Sequence, residues 1–290
     1  MKMFKLVTEN CSDMRHEFYE ENDIEVITLT TILDGVSYGH GKDLDVSEFY
    51  KGMRAGSKPT TSQANPEEAK EIFERLIKDN DEILYLGMSS GISGTVGSVT
   101  LGAQMVMDEH PDKKIICIDT LCASIGQGLI VWHAARLRKE GKSIDEVAQW
   151  VLDNRQNIIH VFTVDDLYDL WRGGRVSKTS AAIGTLAGIK PVLHVDEAGK
   201  LVPVEKVRGR KKSLLAMVDF MEEHMGSRKS DNEIFYTVAH GDCLEDAEFV
   251  KAEVEKRFGF KNGYMSRLGT IIGAHTGPTL VVLCFMGDVR

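Results

Sequence analysis

Residues 87 to 98, GMSSGISGTVGS, gather hydroxyls and backbone amides between an apolar run and a segment of helical period. Unpaired N–H groups and the positive end of a helix attract an anion at such a place. The segment has neither the lysine of a phosphate-binding P-loop nor the glycine spacing of a dinucleotide fingerprint, so nucleotide binding has little support. Ser93 is the candidate ligand, with Gly94 beside it leaving room for close approach. Ser93 acting only as a helix cap is the plain structural alternative.

Four more segments carry residues suited to recognition. KPTTSQANP, residues 58 to 66, sets Thr60, Thr61 and Ser62 ahead of a capped helix, although alone it reads as a polar loop with local hydrogen bonds. In LWRGGRVS, residues 170 to 177, two glycines allow a tight turn that aims Arg175 at a fixed point. GAHTGP, residues 273 to 278, confines His275 between glycines and a proline. KVRGRKK, residues 206 to 212, concentrates Lys206, Arg208, Arg210, Lys211 and Lys212, either a solvated face or a docking surface for an acidic or phosphate-bearing partner.

The elements that must position these residues follow an α/β pattern. Strand expectations in the first half are Phe4 to Thr8, Glu25 to Thr28, Ile83 to Gly87 and Lys114 to Asp119, separated by segments of helical period, as in a mainly parallel sheet flanked by helices. Asn65 with Glu68, Ser143 with Glu146 and Asp242 with Glu245 have the spacing of capping boxes. After Arg155 the expected strands are Ile158 to Val164, Ile189 to Val195, Leu201 to Val207, Glu233 to His240 and Thr279 to Phe285. The middle pair flanks a turn and forms an antiparallel hairpin. The expectation is a two-domain α/β chain, with a Rossmann-like domain over 1–157 and a mixed α/β domain over 158–290.

Composition narrows the function classes. The chain has 290 residues, 42% apolar and 27% charged, which suits two globular units. Its net charge of −9 argues against a surface built for nucleic acid. No apolar run approaches the roughly 20 residues of a transmembrane segment, and the N-terminus lacks the apolar core of a secretory signal, so a cytoplasmic protein is expected. Cys11, Cys117, Cys122, Cys243 and Cys284 lack paired spacing, and reduced thiols with no metal site are expected.

Taken in order, TTSQ, SSGISGT, IDTLCASIGQG, LWRGGRVS, IKPVL, KVRGRK and GAHTGP resemble the DegV family of fatty acid binding proteins across nearly the whole chain. The resemblance implies an apolar pocket for a long-chain fatty acid at or between two domains, no cofactor, no catalysis by the chain alone, and a role as the binding subunit beside a fatty acid kinase catalytic subunit. It implies that Thr61 and Ser93 contact the carboxylate, with Thr60, Ser62 and Gly94 nearby, Arg175 and His275 supporting them, and Arg208, with Arg210 and Lys211, on the docking face. The chain departs from the family pattern at Glu9, Asn10 and Cys11, where Asp-Ser-Thr is usual, and at Thr279, where glycine is common.

A competing chemistry is acyl transfer or hydrolysis with Ser93 as nucleophile and His275 as its base. No G-x-S-x-G elbow stands where that would need it.

Overall fold

The computed structural model describes residues 3–178, 188–230, 234–288 and 290. The first half contributes strands β1 (Lys5–Glu9), β2 (Ile24–Ile27), β3 (Thr30–Leu33), β4 (Val36–Tyr38), β5 (Thr60–Ser62), β6 (Glu82–Gly87) and β7 (Lys114–Asp119). The second contributes β8 (Ile158–Thr163), β9 (Ile189–Val195), β10 (Leu201–Arg208), β11 (Tyr236–His240), β12 (Gly263–Arg267) and β13 (Val281–Met286).

Four strands form a parallel sheet in the order β2-β1-β6-β7. The central strand β6, EILYLG, is buried from its second residue onward, the near-continuous apolar run that a sheet covered on both faces requires. Six strands form a mixed sheet in the order β10-β9-β8-β13-β11-β12, antiparallel except for the β11–β12 pair. The hairpin expected around residue 198 is β9–β10. The expected strand starting at Glu233 begins on a residue outside the described ones, and the strand itself runs Tyr236–His240.

The helices in chain order are α1 (His16–Glu21), α2 (Val46–Arg54), α3 (Pro66–Leu76), α4 (Thr95–Glu109), α5 (Ser124–Lys139), α6 (Ile144–Asn154), α7 (Tyr168–Arg172), α8 (Arg210–His224), α9 (Leu244–Phe258) and α10 (Thr270–Thr276). Asn65 and Ser143 make the expected capping boxes on α3 and α6. The third box does not form. Cys243, not Asp242, occupies the cap position of α9, because the Asp242 carboxylate is held by Arg54 and Arg267, each at 2.7 Å.

A second departure from the sequence reading is a small antiparallel sheet, β4-β3-β5, whose strand β5 falls in the segment 58 to 66 read as a loop. Thr60 to Ser62 become a strand because β3 offers them a ladder, pairing Thr31 with Thr61 and Thr30 with Ser62. Strand alternation then sends Thr61 to the opposite side from Thr60 and Ser62.

Helix α5 lies between the two large sheets, touching β6 on one side and β8, β11 and β13 on the other. It is buried almost all round over its first three turns, as a helix apolar on every face must be. Ile125, Leu129 and Ala134 join Leu6 and Leu84 of the parallel sheet to Phe162, Leu193 and Val282 of the mixed sheet in one apolar cluster. Helices α3 and α4 cover the outer face of the parallel sheet through Phe73, Val99 and Ala103, and α8 and α9 cover that of the mixed sheet through Met217, Met221 and Val250.

Candidate functional site

The strands β6 and β7 end at one edge of the parallel sheet, and the segments that follow them meet β8, β13, α7 and α10 around a cavity of about 330 Å³. That is within the roughly 300–1,000 Å³ of small-ligand sites. Its apolar wall includes Met88 and Ile92 from the first half with Phe162, Leu170, Ile271 and Val282 from the second. These wall residues carry no periodic mark that sets them apart from core, which is why sequence alone did not single them out.

Thr61, Ser93, Arg175 and His275 come together in this wall. His275 stands in the last turn of α10, and its Nε2 lies 2.7 Å from Thr61 Oγ1. Arg175 Nη1 lies 3.3 Å from the other ring nitrogen, Nδ1. A guanidinium only donates, so Nδ1 is the acceptor, the ring proton sits on Nε2 and Nε2–H donates to Thr61 Oγ1. Burial, reinforced by the charges of Arg175 and Arg172, lowers the imidazole to about 4 and keeps it neutral. The hydrogen of the Thr61 hydroxyl is therefore left over, available to an acceptor in the cavity.

The two glycines of LWRGGRVS serve different ends. Gly174 adopts φ 76°, the left-handed turn expected of it. Gly173 makes room for the imidazole, since a β-carbon there would fall 2.3 Å from His275 Nδ1. Arg175 also donates through Nε to Ile92 O at 3.2 Å, joining this turn to the residue before Ser93. Arg172, which sequence reading passed over, donates to Pro59 O and Ala274 O, each at 2.7 Å, and so ties α7 to the segments carrying Thr61 and His275.

Ser93 precedes the cap position of α4, which Gly94 occupies. Its Oγ accepts from Thr95 N at 3.2 Å and lies 2.9 Å from Thr95 Oγ1. A side chain at Gly94 would strike the Gln63 amide at 2.5 Å. The loop is clamped to its surroundings: Ser89 N donates to Cys122 O and Ser89 Oγ to Gly199 O, both at 2.8 Å, and Gly91 packs against the carbonyls of Ala198 and Gly199. Ser93 and His275 each have other partners, so the nucleophile–base pair that acyl transfer would require is not formed.

Of the neighbouring hydroxyls, Ser62 borders the cavity, while Thr60 is exposed and lies outside its wall. The basic run divides in the same way. Arg208 is exposed at the end of β10, and Lys211 sits 5.4 Å from the Phe249 ring. Arg210 is turned inward, pairing with Asp246 at 2.7 Å and donating to Thr279 O, which commits it to holding α8 on α9. Thr279, a departure from the family pattern, accepts from Asp165 N at 3.0 Å through its hydroxyl.

Two buried carboxyls brace the site from beneath. Glu9 is fully buried and receives Tyr85 Oη, Gln127 Nε2 and, at 3.2 Å, Met88 N. Burial raises its carboxyl above the usual range. Asp13 accepts from Ser124 Oγ at 2.6 Å and Gly269 N at 2.9 Å, linking α5 to α10, and burial raises it to about 7. Among the described residues no cluster of histidine, cysteine and carboxylate could hold a metal ion, and no helix is long and apolar enough to cross a membrane.

Two large sheets and a smaller third surround an apolar cavity that ends in a hydroxyl and an imidazole, the form of a small-molecule binding site. Residues 3–288 match the family model described as uncharacterised protein, DegV family, and the chain belongs to that family. It is 38% identical over 292 residues to a DegV domain-containing protein of Clostridium perfringens, covering 100% of this chain and 99% of the relative. Among solved structures it resembles a fatty acid binding DegV family protein from Thermus thermophilus, with TM-score 0.89, 28% identity and coverage of 99% of this chain and 100% of that one. It also resembles DegV, a fatty acid binding protein from Bacillus subtilis, with TM-score 0.85, 29% identity and the same coverage.

Proposed function

We propose that this chain binds a long-chain fatty acid, tail in the apolar cavity and carboxylate at Thr61 and Ser93, and presents it in the cytoplasm to a kinase catalytic subunit that makes the acyl phosphate. The observation that carries the reading is the free Thr61 hydroxyl at the end of the Arg175–His275–Thr61 chain, opening on an apolar wall. The fatty acid binding described for the Thermus and Bacillus proteins supports it.

The choice of groups suits the task. A carboxylate gripped by a bidentate arginine has both oxygens occupied by strong bonds, which blunts its attack on a phosphoryl donor. Here the guanidinium acts one residue removed, polarising a neutral donor that orients the headgroup more lightly. Most affinity then comes from the tail, at roughly 0.8 kcal/mol per buried methylene, offset in part by ordering of the chain.

In this reading residues 1–157 and 158–290 are the two domains, with the tail held where they meet. Arg208 and Lys211 supply the docking face, and Arg210 supports it from within. Native mass spectrometry of the purified protein tests the core claim: a stoichiometric free fatty acid supports it, whereas an acyl adduct on serine, or a protein that takes up no fatty acid when offered one, overturns it.

A further inference from the structure

The TTSQ segment ends in Gln63, which borders the cavity beside Thr61 and Ser62. Ser62 and Gln63 are exposed, as is Gly94, against which the Gln63 amide lies, so these residues mark the rim where the cavity meets solvent. Gln63 Nε2 donates to Ser98 Oγ at 3.0 Å, and Oε1 stands so near Gly94 that a β-carbon there would fall 2.5 Å away. The amide therefore crosses from the end of β5 to the start of α4.

That crossing joins two segments that arrive separately. Thr61 comes on β5, which pairs with β3 in the small sheet and with no strand of the parallel sheet. The same unit leans on the second half of the chain: Thr31 meets Thr270 at 2.7 Å, Arg267 donates to Ser47 at 2.8 Å, and Arg172 donates to Pro59 O. Ser93 comes on the loop out of β6, where the backbone N–H groups of Ile92 and Ser93 donate to Ser89 O at 3.0 and 3.1 Å. Among the described residues, Gln63–Ser98 is the one hydrogen bond between residues 58–66 and 87–98. Gln63 carries no charge and Ser98 lies outside the cavity wall, so the link adds no charge of its own at the headgroup.

Two hydroxyls on separate segments grip one carboxylate only if their spacing is held, and small misplacements of such groups are costly. We propose that Gln63 is a positioning residue: its amide straps β5 to α4 and sets the spacing of Thr61 and Ser93, so that the preference for a carboxylate over an uncharged head on the same tail depends on it. This rests on the fatty acid reading and deepens it.

The test is displacement of a fluorescent fatty acid from delipidated full-length protein by palmitate and by 1-hexadecanol, which share a tail and differ in the head. Wild-type protein is expected to prefer the acid, and Gln63→Leu, which keeps bulk at the rim, should shrink that preference roughly five- to tenfold, about the yield of one hydrogen bond. Hexadecanol affinity and melting temperature should stay near wild type, because the lost bond is at the surface. Ser98→Ala should act alike, the double variant should lose no more than either single one, and Ser98→Thr, which keeps the hydroxyl, should keep the preference. An unchanged preference in Gln63→Leu, an equal loss for acid and alcohol, or additive losses in the double variant overturns this proposal alone. Wild-type protein that binds neither compound, or both equally, overturns the fatty acid reading with its carboxylate at Thr61 and Ser93, and this proposal with it.

Discussion

Gly173 and His275 are packed so closely that the imidazole occupies the place a side chain at residue 173 would need, 2.3 Å from Nδ1. The glycine is therefore required by its neighbour and not by its own backbone, which is right-handed at this position. Gly173→Ala should push His275 off Thr61 and weaken fatty acid binding by roughly tenfold, the order of one charge-polarised hydrogen bond. Isothermal titration on the delipidated protein measures this, and Gly174→Ala, which meets no atom but strains a left-handed residue, should cost folding stability instead.

Thr61→Val keeps the shape of the side chain and removes the hydroxyl that receives the His275 proton. Its stability should fall by about 1 to 3 kcal/mol, the cost of leaving the part-buried His275 Nε2–H unanswered. On the proposed function, acyl phosphate formation with a kinase catalytic subunit should fall by roughly ten- to a hundredfold. Ser93→Ala should behave in the same direction, lowering turnover more than it lowers the melting temperature. A variant that melts early but turns over normally would remove these hydroxyls from the site.

Asp13 makes stability depend on pH in an uncommon sense for a carboxyl. Its folded value of about 7 exceeds the ordinary 3.8, so the folded state holds its proton more tightly than the unfolded chain. The stabilisation is fully present below about pH 4 and is lost as pH rises toward 7. His275 runs the other way: lowered to about 4, it resists protonation, so its contribution is present above the ordinary histidine value and is lost as pH falls toward 4. Asp13→Asn, which tolerates the left-handed φ of 52°, should gain on the order of 2 kcal/mol relative to wild type between about pH 4 and pH 8. Urea denaturation across that range reads the difference; parallel curves for the two proteins would show that Asp13 is ionised throughout.

On the proposed function, Arg208→Glu should weaken coupling to a kinase catalytic subunit at least severalfold while fatty acid uptake stays unchanged, because Arg208 is exposed and lies outside the cavity wall. Arg210→Glu is the instructive contrast. It breaks the bond to Asp246 and should lower stability as well, so only the first variant separates docking from folding.

The residues that meet at Thr61 were legible as ordered motifs, because each needs a local device: glycines before Arg175, a capped helix after Ser62, a strand end before Ser93. Two of the three capping boxes formed for the same local reason. Asp242 failed because Arg54 and Arg267, distant in sequence, compete for its carboxylate. Strand β5 escaped notice since three hydroxylic residues become a strand only when β3 is beside them. Glu9, Asp13 and Arg172 have no local signature at all; their importance lies in partners between 76 and 256 residues away, such as Tyr85 for Glu9 and Gly269 for Asp13.

The cavity belongs to neither sheet by itself, with Met88 and Ile92 facing Phe162 and Val282 across it. A fatty tail lying there would act as mortar, adding contacts to both halves at once. Loaded protein should accordingly melt later than empty protein in proportion to how tightly each acid is held, and cargo release should loosen the very seam on which the molecule depends.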